Sequence, residues 1–272
     1  MKIGKMIKTA GSTIKGLAKL VLLGRKVDWY GVDAEGDTLI VMGNGPSLAD
    51  SLRENADVFE RMPLLAVNFA ANTDEFFALR PRYYLMADPV FFNCGTNDNV
   101  DLLWKNIERV NWRMTLFVPN GQVVKPMNGV EIRRFNFVGI EGAGWLRHFA
   151  YAHKLGMPRP RNVLIPSIMA GIWMGYKNIY ITGADHSWTK TLDVNEHNEV
   201  VSVQPHFYCD NDAEHKRVAS VYKNIRLHEL LLSFHIAFKA YFDVEEYARH
   251  IGVNIYNATP GSFIDAFERR SL

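Results

Sequence analysis

The chain has 272 residues, which is enough for one large α/β domain or two smaller ones. Hydrophobic residues make up 48% and charged residues 22%, as in a globular protein with a sizeable core, and a formal net charge of +2 does not mark a nucleic-acid-binding protein. The two cysteines, Cys94 and Cys209, provide no disulfide framework and fit a reducing compartment, and no Cys/His cluster has the spacing of a zinc site.

Residues 1–26 are strongly basic, and no acidic residue occurs before Asp28. The positive charges are Lys2, Lys5, Lys8, Lys15, Lys19, Arg25 and Lys26. Apolar residues recur near helical spacing, but the longest apolar run, 20–23, is too short to span a bilayer or to form the centre of a signal peptide. We therefore predict that residues 1–30 hold a basic amphipathic helix lying on an anionic membrane surface. The alternative is a helix that packs on the domain and shows its lysines to water.

Residues 31–272 are predicted to form one domain in which short apolar runs alternate with helical stretches. The predicted strands are 38–42, 63–67, 83–86, 114–118, 131–135, 178–182 and 253–256. The predicted helices are 48–60, 73–79, 100–111, 142–154, 168–174 and the long stretch 214–252, which we expect to form two helices. This alternation predicts a mostly parallel sheet with helices on both faces, and the polar segment 184–213 has the length of a lid-like loop.

The first predicted strand leads directly into a glycine turn made of Gly43, Asn44, Gly45, Pro46 and Ser47. A strand, a glycine turn and a helix in this order form an anion site, because backbone N–H groups at the helix N-terminus point outward and the helix dipole favours negative charge. Ser47 can cap the helix or bond a phosphate. The stretch lacks the lysine of a phosphate-binding loop and the third glycine of the dinucleotide-binding fingerprint.

Three further strands also end in small polar clusters. Asn68 follows the second strand, Asp88 follows the third, and Gly183, Asp185, His186 and Ser187 lie within the five residues after strand 178–182. Ligands of open parallel sheets bind at the carboxyl ends of the strands, so four such endings predict one common cleft.

Histidines near this cleft are candidates for acid–base chemistry because the ordinary pKa of the side chain is close to 6.5. His186 and His206 lie in the polar loop and are the candidates. The sequence contexts of His197, His215 and His250 predict surface residues, whereas His228 and His235 fall on or near an apolar helix face and predict core residues. Pairs such as Asp185 with His186 and Asp210 with Asp212 raise the alternative of a divalent metal, but no Asp-x-Asp ends a strand and we expect no metal requirement.

Three segments stand out together: IVMGNGPSL at 40–48, MGYKNIYITGADHSW at 174–188 and IYNATPGSFIDAFER at 255–269, with HFY at 206–208. They resemble the bacterial lipooligosaccharide sialyltransferases and the wider group of motility-accessory-factor and 6-hydroxymethylpterin-pyrophosphokinase-like (MptE-like) domains. The resemblance covers roughly residues 38–269. It implies a Rossmann-like nucleotide-binding fold with a lid, a CMP-activated sugar donor, no metal and a histidine base.

The resemblance also implies roles for single residues. The turn from Gly43 to Ser47 would face the nucleotide and its phosphate, Asn68 would touch the nucleotide sugar, Gly183 and Asp185 would lie beside the cytidine, and His206 would lie near the base position. Asp88 stands where the sialyltransferases have a second asparagine. His186, Ser187 and Trp188 replace the tyrosines that hold the leaving phosphate, and His186, Ser187 and Ser47 can donate to it.

The resemblance leads us to expect a glycosyltransferase that moves a sugar, such as a nonulosonic acid, from a CMP-linked donor to a surface-glycan or lipid-linked acceptor. His206 is the expected base, no cofactor beyond the donor is expected, and the expected location is the cytoplasm, peripheral on the inner face of the membrane. We expect no nucleic-acid partner, and a homo-oligomer remains open. The alternatives are a pterin diphosphokinase that uses ATP and Mg²⁺, with Asp88 and Asp185 near the triphosphate, and a non-catalytic membrane-surface assembly protein.

Overall fold

A computed structural model describes residues 2–93, 95, 97–201 and 225–272. Its centre is an eight-stranded sheet in which every neighbouring pair of strands is parallel. The strands among the described residues are β1 (Thr38–Met42), β2 (Leu64–Val67), β3 (Tyr83–Leu85), β4 (Met114–Pro119), β5 (Val130–Phe135), β6 (Asn178–Thr182), β7 (Asp193–Val194), β8 (Val200–Val201), β9 (Asn254–Asn257) and β10 (Glu268–Arg269). The expected parallel sheet is confirmed.

The order of the strands across the sheet is β10-β9-β6-β1-β2-β3-β4-β5. The sheet extends from β1 through β5 in one direction and from β6 through β9 to β10 in the other, and β7 and β8 form a separate two-stranded sheet. The strand order therefore reverses between β1 and β6, where Val41 pairs with Ile181 and Met42 with Thr182. Such a reversal opens a crevice at the carboxyl ends of the two strands, which is where open α/β sheets bind ligands.

Helices cover both faces of the sheet. They are α1 (Lys2–Leu23), α2 (Ser47–Glu54), α3 (Ala56–Arg61), α4 (Asp74–Leu79), α5 (Asp98–Glu108), α6 (Gly144–Ala152), α7 (Leu164–Met174) and α8 (Leu227–Ile251). Alternate residues of each strand point to opposite faces. Leu39 and Val41 of β1 accordingly lie in the core with α6, α7 and α8, whereas Ile40 and Met42 lie in the core with α2 to α5.

One predicted helical stretch differs from the structure, and another is described only in part. The stretch 48–60 is split at Asn55, which leaves the helical region with φ −126° and bonds the Ser51 carbonyl through both its backbone N–H and its side-chain amide. The stretch 214–252 contains one continuous helix, α8, among the described residues, and the part before residue 225 lies outside them.

The prediction that His228 and His235 are core residues is wrong, because both side chains are exposed. The buried stripe of α8 is set instead by Leu230, Phe234 and Ala237, so His235 lies one position away from it. His197 and His250 are exposed as expected, and His215 lies outside the described residues.

Helix α1 confirms the helical prediction for the N-terminal segment and contacts the loop and helix at 139–146. A side chain at Gly16 would place its Cβ 2.6 Å from the Glu141 carbonyl oxygen, so only glycine fits this contact. Among the described residues, no helix is both long and apolar enough to cross a bilayer.

Candidate functional site

The loops that follow β1 and β6 touch each other through their backbones. The Gly43 N–H donates to the Thr182 carbonyl and the Gly45 N–H to the Gly183 carbonyl, both at 2.8 Å. A Cβ at Gly43 would lie 2.4 Å from the Gly183 carbonyl oxygen, and one at Gly183 would lie 2.5 Å from that of Gly43. Gly183 also has φ +63°, which favours glycine. These glycines therefore allow the two strand ends at the reversal point to meet.

The Asp185 carboxylate lies over the glycine turn. Its Oδ2 would be 2.0 Å from a Cβ at Gly45, and it accepts a hydrogen bond of 2.8 Å from the Ser47 hydroxyl. Ser47 is the first residue of α2, and its side chain does not cap the helix. The Asp185 carboxylate thus occupies the space that a side chain at Gly45 would need. The Ser47 hydroxyl donates its proton to the same carboxylate.

The segment after β9 supports the loop that carries Asp185. The Thr259 hydroxyl accepts from the Ala184 N–H at 3.1 Å, and the Ser262 hydroxyl donates to the Ala184 carbonyl at 2.7 Å. The Phe263 N–H donates to the Asp185 carbonyl at 2.9 Å. Sequence reasoning did not give these residues a role, although they lie in the third resembling segment. Their role is to fix the backbone on both sides of Ala184.

Asn44 and Asn68 bring two buried amide oxygens to the ends of β1 and β2. The Asn44 side-chain N–H₂ donates to the Val67 carbonyl at 3.1 Å, which fixes the orientation of the amide and places it beside the Val67–Asn68 peptide. The Oδ1 atoms of both asparagines are buried, and neither accepts a hydrogen bond within the described part of the chain. A buried acceptor without a donor is costly, so each oxygen needs a donor such as an ordered water or a ligand group.

Asn68 is held in an unusual backbone conformation. Its φ is +52°, a left-handed value that asparagine adopts more readily than most residues. The Tyr84 hydroxyl donates to the Asn68 carbonyl and accepts from the Ala71 N–H at 3.0 Å, which holds the 3-10 turn Asn68–Asn72. Asn68 therefore combines a strained backbone with an unpaired amide oxygen, a combination that is concentrated at functional sites.

Asp88 and Ser187 lie at the ends of β3 and β6 but use polar atoms to shape the backbone. The exposed Asp88 carboxylate accepts from the Val90 N–H at 3.0 Å and begins the 3-10 turn Pro89–Phe92. The half-buried Ser187 precedes the turn Trp188–Thr191, and its carbonyl accepts from the Lys190 N–H at 2.9 Å. The sheet order places the four predicted strand ends side by side, at β3, β2, β1 and β6.

His186 is buried and belongs to a polar chain that runs into the helices. Its Nε2 lies 2.7 Å from the Tyr241 hydroxyl, and that hydroxyl donates to Asn162 Oδ1 at 3.1 Å. Asn162 Oδ1 also accepts hydrogen bonds from the Leu164 and Ile165 N–H groups, which identifies this atom as the amide oxygen. An amide oxygen can only accept, so the Tyr241 hydroxyl is the donor in the bond between them. Since Tyr241 has only one proton to donate, His186 Nε2 must carry the proton of the first bond.

Burial lowers the pKa of His186 from 6.5 to about 3, so the imidazole is neutral near pH 7. Its ring also stacks against Trp188, with the ring centroids 4.1 Å apart. A neutral ring whose Nε2 proton is already donated to Tyr241 supplies no positive charge to a phosphate. The structure thus makes His186 a residue that positions the loop after β6, with φ +50°.

The predicted lid is described as far as residue 201. It contains the hairpin of β7 and β8, and Trp188 packs against Phe234 of α8 with centroids 5.3 Å apart. Because α8 is 25 residues long, its first turns reach this loop while its later turns cover the sheet. His206, the predicted base, lies outside the described residues.

A cavity of about 340 Å³ opens between α8 and the segments around Glu141 and Arg161. Its charged lining residues are Glu141, Arg159, Arg161, Lys239 and Asp243. Asp243 is paired with Lys239 at 2.6 Å and with Arg147 at 3.1 Å. The cavity lies next to the hydrogen-bonded series of His186, Tyr241 and Asn162. Two of its lining residues, Arg161 and Ala240, directly precede Asn162 and Tyr241 in the sequence. Among the described residues, no three His, Cys, Asp or Glu side chains group to hold a metal ion.

These features define a Rossmann-like α/β protein with a candidate ligand site at the point where the strand order reverses. No protein-family model matches the chain, and no curated protein matches it. Among solved structures, the chain is similar to a MAf glycosyltransferase from Magnetospirillum magneticum AMB-1, with a TM-score of 0.47 and 12% identity over 97% of this chain. The chain spans 38% of that protein's length. A likeness at this level says nothing about activity, so function is inferred from the site.

Proposed function

We propose that the chain is a glycosyltransferase that moves a sugar from a CMP-activated donor to a surface-glycan or lipid-linked acceptor. The observation that carries the proposal is the pair of buried, unpartnered amide oxygens of Asn44 and Asn68 beside the reversal of strand order. A cytidine offers hydroxyl donors on its ribose and amino donors on its base, which are the groups that such acceptors require. The Asp185 carboxylate adds a third acceptor.

The reaction needs one proton to move and one bond to be exchanged. The acceptor hydroxyl oxygen forms a bond to the anomeric carbon of the sugar, the bond from that carbon to the CMP phosphate oxygen breaks, and CMP leaves with the electron pair. A base takes the acceptor proton, and we assign this role to His206. The donor is activated by its phosphate, so the proposed mechanism uses no metal. A nonulosonic acid is the proposed sugar.

Of the three donors first expected for the leaving phosphate, only Ser187 is kept. Ser47 donates to Asp185 and His186 is neutral and bonded to Tyr241, so we assign this role to Ser187 and Lys190. Lys190 lies on the turn that follows Ser187, with its ammonium 5.1 Å from the centroid of the Phe263 ring. The Phe263 N–H donates a hydrogen bond to the Asp185 carbonyl, and this keeps the Lys190 ammonium next to the candidate site.

The proposal is tested by following CMP release from a CMP-linked nonulosonic acid, with and without a glycan acceptor and in the presence of EDTA. We expect CMP release that increases with acceptor and does not need metal. A parallel reaction with ATP, Mg²⁺ and 6-hydroxymethylpterin tests the diphosphokinase alternative. Pterin diphosphate formation without CMP release would contradict the proposal.

A further inference from the structure

Helix α1 has three different faces. The first packs on the domain through small and polar residues: Gly16 lies against Glu141, and the Thr13 hydroxyl accepts from the Ala143 N–H at 2.9 Å. Lys19 adds a hydrogen bond of 3.1 Å to the Gly139 carbonyl. This face attaches the helix without using most of its large apolar side chains.

The second face is apolar and exposed. Ile7, Ile14 and Val21 repeat at seven-residue spacing and are 68%, 69% and 75% exposed. Met6 is 70% exposed and Leu17 is 39% exposed on the same side of the helix. An apolar stripe that runs along the helix from Met6 to Val21 and faces water indicates a binding surface, whereas single exposed apolar residues do not.

The third face carries positive charge. Lys8 and Lys15, again seven residues apart, directly follow Ile7 and Ile14, so they lie beside the apolar stripe, about 100° around the helix from it, and both are exposed. No acidic residue occurs before Asp28 to neutralise them, and Arg25 and Lys26 follow the end of the helix. A helix that shows an apolar stripe and a lysine face without acids is suited to a surface that is both apolar and negatively charged.

We propose that α1 docks the protein on the surface of an anionic phospholipid bilayer, with Ile7, Ile14 and Val21 inserted between the headgroups and the lysines facing lipid phosphates. A second copy of the chain fits this surface poorly, because pairing two apolar stripes would also bring two acid-free basic helices together. The proposal concerns α1 alone and does not depend on the donor nucleotide or on the transfer reaction.

The position of α1 connects this surface to the candidate site. The Arg25 N–H donates to Asn136 Oδ1, and Asn136 directly follows β5, so the end of α1 lies at the carboxyl edge of the sheet. The candidate site lies at the same edge, after β1 and β6. Glu141, which supports Gly16, also lines the cavity next to α8. Docking through α1 would bring this edge close to the membrane surface.

Vesicle co-sedimentation of the full chain tests the proposal. We expect binding to phosphatidylcholine vesicles that contain phosphatidylglycerol and much weaker binding to pure phosphatidylcholine. Lys8→Gln with Lys15→Gln should weaken binding about 30-fold, since each lysine near an anionic surface contributes about fivefold. Ile14→Asp should weaken it about tenfold or more, because an inserted apolar side chain is lost.

Leu102→Asp is the matched control, because Leu102 is 45% exposed on α5, on the opposite face of the sheet. It should bind vesicles like the wild type, and circular dichroism should show all variants folded. The proposal is overturned if the wild type does not bind anionic vesicles, or if Ile14→Asp binds them as tightly as the wild type does. A wild-type dimer that Ile14→Asp dissociates, without vesicle binding, would instead show that this face joins two copies.

Discussion

The Ser47 hydroxyl donates a hydrogen bond of 2.8 Å to the Asp185 carboxylate and so joins the loop after β1 to the loop after β6. The two residues are 138 positions apart in the chain, and they meet because the strand order reverses between their strands. Gly45 lies beneath the carboxylate, which occupies the space of its absent side chain. The glycine turn therefore serves first to assemble this junction.

The junction predicts a specific cost for a side chain at Gly183. Gly183→Ala would place a Cβ 2.5 Å from the Gly43 carbonyl oxygen and 2.9 Å from the Leu48 Cβ, in addition to the strain of a positive φ. Gly175→Ala is the matched control, because Gly175 has φ +95° but no atom within 4 Å of the new Cβ. Backbone strain should cost each variant about 1–2 kcal/mol, and crowding should cost Gly183→Ala about 1–3 kcal/mol more. If urea unfolding showed that the two variants lose the same free energy of unfolding, the close contact at Gly183 would be contradicted.

Asn68 is predicted to contribute to ligand binding while contributing little to stability. Asn68→Gly removes the unpaired amide oxygen and still accepts the positive φ, so the free energy of unfolding should change by less than about 1 kcal/mol. CMP affinity should fall about tenfold for the loss of one hydrogen bond. Asn68→Ala adds backbone strain and should lower stability as well. Unchanged CMP affinity in Asn68→Gly would show that this oxygen does not contact the nucleotide.

His186 is predicted to make the protein sensitive to acid. Its pKa is about 3 in the folded state and near 6.5 in the unfolded state, so between these values only the unfolded state binds the proton. Stability from this group is present above pH 6.5 and is lost as the pH falls towards 3, by about 1.4 kcal/mol per pH unit. His186→Asn, which tolerates the positive φ, should remove this slope from urea unfolding measured between pH 7 and 5. An unchanged slope would place the titration elsewhere.

His206 is predicted to act in turnover and not in nucleotide binding. His206→Ala should lower the transfer rate by about two to four orders of magnitude, as expected for loss of a general base, with CMP affinity little changed. His197→Ala is a suitable control, since His197 is exposed on the hairpin between β7 and β8. Near-full activity of His206→Ala would show that another group takes the acceptor proton.

The strands of the fold were the most predictable elements. The segments 38–42 and 178–182 match β1 and β6 at both ends, because each is a short apolar run flanked by polar or glycine residues. Parallel pairing followed from the alternation of strands and helices, and with it the prediction that the four polar strand ends share one edge. Local patterns were sufficient here because every central strand is buried on both faces.

Contacts between distant side chains could not be read from the sequence. The bond from His186 to Tyr241 crosses 55 positions, and nothing near His186 indicates that an aromatic helix would bury it. His235 is exposed because the buried stripe of α8 passes through its neighbour Phe234, one residue away from the position expected from the apolar spacing. The hydrogen bond from Ser47 to Asp185 could not be predicted from the neighbouring sequence either, since a serine at that position also fits a helix cap or a phosphate ligand.

Calorimetric titration of the wild-type protein with CMP in the presence of EDTA tests the central claim that the crevice between β1 and β6 binds a cytidine nucleotide. We predict saturable CMP binding without metal and no comparable binding of ATP with Mg²⁺. Absence of CMP binding, or binding of ATP with Mg²⁺ in its place, would contradict the account.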